Sequence, residues 1–343
     1  MNRRAFLRKI GGVGAFAALA NAPGFSTQAR AADAPLQKIA YQCSWIKNFQ
    51  FAGEYIADYK HYYEKCGLSV DLLAGGPGVI VDPIVVSGKA LLGQSSPDFM
   101  SNAIVKGAPL RCIGASYQKN NCCIMSMSKQ PLHTPQDMIG KKIGIQVINT
   151  VIWHAFLKLN KISPDKITVV PVQFDFSPLI SGEVDGFFGE ENDDAVDLKS
   201  RGYDVHSLLL ADFGYDMVNG TYSVRADSLA DKTKRAQLVA FMRAEVLGWQ
   251  DAIKDPALGA RLTSEVYGKG NGLDPKVQEA SCLATNPFMV SPDTDKHGLF
   301  WMTPEVVQKT IATLATAGVK AKPEFFTTEI LEEVFQGKST LSV

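Results

Sequence analysis

The chain has 343 residues, long for one core, and its length suggests two lobes. Lys and Arg together number 35 and so do Asp and Glu, so the formal net charge is zero, and with no basic run past the first residues nucleic acid is not an expected partner. Beyond the N-terminal segment nothing approaches the apolar length of a membrane span.

Residues 1–31 read as an export signal. Arg3-Arg4-Ala5-Phe6-Leu7 is a twin-arginine pattern, and a weakly hydrophobic Gly/Ala stretch from Gly11 to Ala20 follows it. Ala29-Arg30-Ala31 offers a small-x-small cleavage site, with no cysteine there to carry a lipid. The expectation is a free periplasmic protein that folds before crossing. Six cysteines, at 43, 66, 112, 122, 123 and 282, match no zinc or iron–sulfur spacing. They are expected to be buried, with Cys122 and Cys123 on opposite faces of one strand.

Ile39 to Tyr41 looks like a first strand, and Trp45 to Tyr55 carries it into a helix. Ligands of open α/β sheets bind beyond the carboxyl ends of the strands, so Trp45, Asn48 and Phe49 become pocket candidates, while Phe51 reads as core. Gly53 suits a close approach of backbone to a neighbour or ligand. The spacing predicts a helix that buries Ala52, Tyr55, Ile56, Tyr59 and Tyr63. Strands over 69–73, 90–93 and 110–116, with helices over 79–87 and 98–106, complete a first unit. Gly75-Gly76-Pro77-Gly78 lacks both phosphate-loop and dinucleotide spacings and reads as a turn. Residues 122–128 form an expected crossing strand. A second unit then alternates strands over 168–172, 186–189 and 205–210 with helices over 150–160, 176–181 and 194–201. Thr221 to Val224 is the expected return crossing, and a largely helical tail follows. The expectation is an α/β, two-lobe fold with mostly parallel sheets, a cleft and two hinge crossings. Its lobes would be 36–127 with 222–343, and 128–221.

The runs W-x-x-N-x-x-x-A-G-x-Y (Trp45 to Tyr55), Ser87-Gly88-Lys89-Ala90, Gly140-Lys141-Lys142-Ile143-Gly144 and Gly182-Glu183-Val184-Asp185-Gly186 carry a resemblance. Together they resemble periplasmic substrate-binding proteins of ABC importers, in the group of thiamin-pyrimidine-precursor, riboflavin, sulfonate and nitrate binders. Related thiamin-pyrimidine synthases share that superfamily. The resemblance implies a binding protein that meets a membrane permease and carries neither cofactor nor metal, and a monomer is expected. Where the synthases have a lysine that holds pyridoxal phosphate and, four residues on, a substrate histidine, this chain has Ser95 and Phe99. Opposite their cysteine cluster stand residues 215–219, without a thiol. The synthase reading is therefore the weaker one, and the five scattered histidines form no catalytic pattern.

Glu190-Glu191-Asn192-Asp193-Asp194 follows an apolar strand directly. Asp193 and Asp194 read as the favoured acids of a helix N-terminus. Glu190 or Glu191 is then left at the strand end, where the precursor binders imply an acid that pairs with the ligand's exocyclic amine. Gln94, Ser95 and Ser96 open a first-lobe helix, and Tyr117 and Gln118 end a strand on the same side. Thr150 and Trp153 open a second-lobe helix, and Tyr215, Asp216 and Asn219 precede the return crossing. Aromatic walls with a few polar groups suit a flat heterocycle, most of all a thiamin pyrimidine precursor. An acid without a nearby arginine argues against sulfonate or nitrate.

Overall fold

The computed structural model describes residues 35–343; the expected export signal lies outside them. The first sheet holds β1 (Gln37–Gln42), β2 (Leu68–Leu73), β3 (Leu92–Ser95), β4 (Leu110–Tyr117) and β10 (Asn219–Arg225), in the order β2-β1-β3-β10-β4. The second holds β5 (Cys122–Met127), β6 (Lys142–Gln146), β7 (Thr168–Val172), β8 (Gly186–Glu190) and β9 (Val205–Leu209), in the order β7-β6-β8-β5-β9. No helix of the described residues is long and apolar enough to cross a membrane.

The strand expected to leave the first lobe, Cys122–Met127, pairs wholly within the second sheet, so the change of sheet falls between Tyr117 and Cys122. The return falls just before Asn219, where β10 joins β3 and β4. Both sheets are therefore mixed rather than mostly parallel. Pairs β1/β2, β1/β3, β6/β7 and β6/β8 are parallel, whereas β5 and β10 run against both of their neighbours. The cause is geometric. A strand arriving from the cleft enters its new sheet at the carboxyl ends of the resident strands and must run against them. Cys122, first in β5, accordingly sits opposite Glu190, last in β8.

Helices cover both faces of the first sheet. Helix Ala52–Tyr59 crosses the long helix Lys232–Lys254, and two glycines mark the contact. A Cβ on Gly53 would overlap the Trp249 ring, and one on Gly248 would overlap the Gly53 carbonyl. The close approach anticipated at Gly53 is thus to a neighbouring helix. Because backbone and indole fill that space, Gly53→Ala is expected to cost about 1–3 kcal/mol by overpacking, read as a lower urea midpoint. An unchanged midpoint would show slack at the crossing.

The predicted burial of Tyr59 is not observed: it is 51% exposed. His61 adopts a left-handed backbone, φ 58°, which ends the first helix and starts a new one at Tyr62, so Tyr63 is buried by a different element. Phe51 is core, as expected. All six cysteines are free thiols; Cys122 and Cys123 turn into separate apolar clusters on opposite faces of β5, while Cys66 is half-buried rather than buried. In the tail, proline opens the helices Pro256–Leu262, Pro275–Met289 and Pro304–Thr316. Helix Pro304–Thr316 also braces the second lobe: Leu314 joins its core, and Lys309 pairs with Asp216.

Candidate functional site

A cavity of about 420 Å³ lies between the carboxyl ends of the two sheets. It forms there because each βα loop of both sheets ends at the same cleft. From the first lobe come Trp45 after β1, Gln94 and Ser95 at the end of β3, Ser96 and Tyr117. From the second come Glu190, at the end of β8, and the Asp193–Asp194 turn; Asn219 begins the return strand.

These polar side chains are held in place. Ser44 donates to Gln94 Oε1 (2.8 Å), Gln94 Nε2 to Ser116 Oγ (3.1 Å), and Ser116 to the Gly220 carbonyl (2.8 Å), which ties β3, β4 and β10 together beneath the cavity. Ser95 donates to Asp82, which also accepts from Ser223. The hinge carries a second chain. Asn219 Nδ2 donates to Asn121 Oδ1 (2.9 Å), Asn121 Nδ2 to Asn192 Oδ1 (2.8 Å), and Asn192 Nδ2 to Thr285 Oγ1 (2.9 Å). Asn121 and Asn192 are buried, where every unpaired amide would be costly, so this chain fixes how the two crossings lie together.

The structure separates Glu190 from Glu191. Glu190 lies on the cavity wall and accepts from Gln50 Nε2 at 3.0 Å, a first-lobe amide reaching across the cleft. Glu191 does not line the cavity; it faces Lys199 at 3.4 Å. Burial pushes the Glu190 carboxyl up to about 7, and nearby Asp194 adds to the rise, against hydrogen bonds from Asn121 and Gln50. Burial likewise raises Asp194 to about 6, although it accepts from the Glu190 backbone N–H at 2.8 Å. Asp193 is raised by burial and then by Asp194 and Glu190. It was expected to serve the helix N-terminus, yet it makes no cap and lines the cavity, 3.5 Å from Asn48 Nδ2. The turn opening helix Pro97–Val105 likewise presents an acid: Ser96 donates to Asp98, a buried carboxyl on the wall, raised by that burial. An anion has no cationic partner here, because among the described residues no Lys, Arg or His lines the cavity.

Eight of the anticipated residues do not line it. Asn48 instead caps the 3-10 turn Phe49–Phe51, and Phe49 is core. Gln118 donates to the Ala115 carbonyl, and Thr150 donates back to the Val147 carbonyl. Trp153 and Tyr215 turn into the second-lobe core, and Asp216 pairs with Lys309. Two causes act on these and on Glu191: a side chain either packs into a lobe core, as Phe49, Trp153 and Tyr215 do, or is held by a local partner. Conversely, Gln50, Asn120, Ile148 and Phe174 line the cavity without having been singled out. Ile148 and Phe174 follow β6 and β7, so the strand-end rule applied to those two strands would have found them. Phe174 meets Trp45 across the cleft, ring centroids 5.2 Å apart.

Residues 48–258 match the family described as NMT1/THI5 like. The chain belongs to this family. Among relatives, it is 25% identical over 296 residues to the riboflavin-binding protein RibY of Chloroflexus aurantiacus, covering 84% of this chain and 83% of that one. It is 24% identical over 231 residues to the 4-amino-5-hydroxymethyl-2-methylpyrimidine phosphate synthase of Schizosaccharomyces pombe, covering 64% and 66%. The periplasmic aliphatic sulphonate binding protein SsuA of Escherichia coli superposes with a TM-score of 0.61 at 18% identity, over 82% of this chain and 86% of that one. At that identity the superposition shows the fold: two lobes of the periplasmic-binding-protein type. The relatives thus include one named as a binder and one named as a synthase, and the choice between these roles rests on the side chains in the cleft.

Proposed function

We propose that this chain is the periplasmic solute-binding component of an ABC importer. Its ligand would be a flat nitrogen heterocycle, an aminopyrimidine of the thiamin-precursor type, delivered to a membrane permease. The observation that carries the reading is the Glu190 carboxyl on a cavity wall that also holds Trp45, Phe174 and Tyr117 and, among the described residues, no cationic side chain. A carboxylate accepts from an exocyclic amine, and aromatic faces stack on the ring. Gln50 to Glu190 and Trp45 to Phe174 already join the lobes, so a ligand seated between them favours the closed arrangement that a permease would recognise.

A synthase would need the lysine that holds pyridoxal phosphate in that branch of the family. Ser95 stands in its place with its hydroxyl held by Asp82, and among the described residues no lysine lines the cavity. The residues do not fit that group. The relationship to RibY favours one alternative ligand, riboflavin.

A thermal-shift screen of aminopyrimidines, flavins and alkanesulfonates tests the reading, since a ligand that binds only the native state raises Tm with its occupancy. The expected result is a shift with aminopyrimidines. A shift with flavin or sulfonate alone would retain the binding role and reject the ligand.

A further inference from the structure

Strand order sets which side chains each end of the cavity wall presents. In the first sheet β10 and β4 stand beside the hinge and β2 at the far edge; in the second, β5 and β9 stand beside the hinge and β7 at the far edge. Hinge-side positions supply Tyr117, Asn120, Asn219 and Glu190. The outer strands supply Val79 and Ile80 after β2, Ile148 after β6 and Phe174 after β7, with Gln146 and Asn149 as the polar side chains beside them. The four apolar residues are 38%, 54%, 49% and 50% exposed. Single exposed apolar side chains are ordinary, but a set converging from two lobes on one cavity marks a binding surface. Closing the lobes is not what would cover them, because Trp45 and Phe174 are already in contact while Phe174 stays half exposed.

The size of the cavity points the same way. A water molecule takes about 30 Å³ in the liquid, so 420 Å³ holds roughly fourteen such volumes. A single pyrimidine ring with an amine and a one-carbon arm needs less. The polar side chains on the outer side, Gln146 and Asn149, are engaged with each other and with backbone: Asn149 Nδ2 donates to Gln146 Oε1, and Gln146 Nε2 donates to the Phe188 carbonyl, both at 3.0 Å.

We propose that the ligand has two parts: a heterocyclic head that donates to Glu190 at the hinge side, and an apolar group at least the size of a second ring, lying outward between Val79/Ile80 and Ile148/Phe174. The assignment rests on the aminopyrimidine reading of the head. It makes the outer residues, rather than the acids, the determinants of choice among aminopyrimidines.

The test is calorimetric titration with a series of 4-aminopyrimidines that carry hydroxymethyl, isobutyl or benzyl at one ring carbon. The benzyl compound is expected to bind at least about tenfold tighter than the hydroxymethyl compound, as an added apolar group in a matching pocket does. In an Ile80→Ser/Phe174→Ser protein the ratio of the two Kd values is expected to fall close to one. Both side chains are exposed at present, so neither change threatens folding. Equal or weaker binding of the benzyl compound, or an unchanged ratio in the double variant, would overturn the two-part ligand and leave the aminopyrimidine head standing. Failure of the whole series to bind would overturn both, with the head at fault.

Discussion

Glu190→Gln is expected to weaken aminopyrimidine binding about 10- to 100-fold, the equivalent of a hydrogen bond to a charged group, about 1.5–3 kcal/mol. Glu191→Gln is expected to stay near the parent affinity. The two neighbours differ only in direction: the carboxyl of Glu190 lies on the cavity wall, and that of Glu191 faces Lys199. A glutamine at 190 keeps an oxygen for Gln50 Nε2, so the contact between lobes survives. What it loses is the negative charge and one acceptor, and in their place it presents a donor to the ligand's amine. Titration calorimetry of both variants decides the matter. Equal affinities for Glu190→Gln and the parent would remove Glu190 from the site, and a large loss at Glu191→Gln would reverse the assignment.

The second large effect concerns stability. Glu54 and Glu245 are fully buried in the first-lobe core, with tyrosine hydroxyls as partners and, among the described residues, no cation paired with them. Tyr41 donates to Glu54 at 3.0 Å; Tyr63 and Tyr222 donate to Glu245. Burial pushes Glu54 from 4.5 up to about 7, and burial followed by the charge of Glu54 raises Glu245 as well. The folded chain therefore holds protons that the unfolded chain releases. The stability these groups contribute is whole below about 4.5 and is lost as pH rises through about 7. Glu190, Asp193 and Asp194 act in the same direction. Below about pH 4 the trend reverses, because hydrogen bonds hold Asp137 and Asp227 below their ordinary value of 3.8.

Tm is thus expected to be highest near pH 5 and to fall steadily toward pH 8. Glu245→Gln cannot ionise, and its amide can donate to a tyrosine hydroxyl. It is expected to be more stable than the parent at pH 8, where the buried Glu245 carboxyl of the parent is driven to ionise, and to flatten the profile. Scanning calorimetry at several pH values checks it: a parent Tm that does not change between pH 5 and 8, or a variant with the parent's slope, would refute the account.

Neither effect was equally legible in the residues. Glu54 sits inside the motif that carries the family resemblance, but nothing local announces that Glu245, on a helix almost two hundred residues later, shares its core. At the cleft, Trp45, Gln94, Ser95, Ser96, Tyr117, Glu190 and Asn219 were readable because the strand-end rule needs only a strand and the turn after it. Trp153 and Tyr215 misled because an aromatic beside a turn looks alike whether it faces the cleft or the core. Asp193 misled because an acid beside a helix start has a sufficient local explanation.

Taken alone, the sequence determined what depends on neighbours along the chain: the alternation of strands and helices, the two crossings, the prolines that open helices, and the family. Tertiary structure decided what depends on direction and on distant partners. It decided that β5 and β10 run against their new sheets, because they enter from the cleft. It decided that Glu190 rather than Glu191 faces the cavity, because successive residues at a strand end point opposite ways and only packing says which way is inward. It decided that Val79, Ile80, Ile148 and Phe174, far apart in the chain, meet at one cavity, because strand order is set by pairing across the sheet and leaves no local mark in the chain.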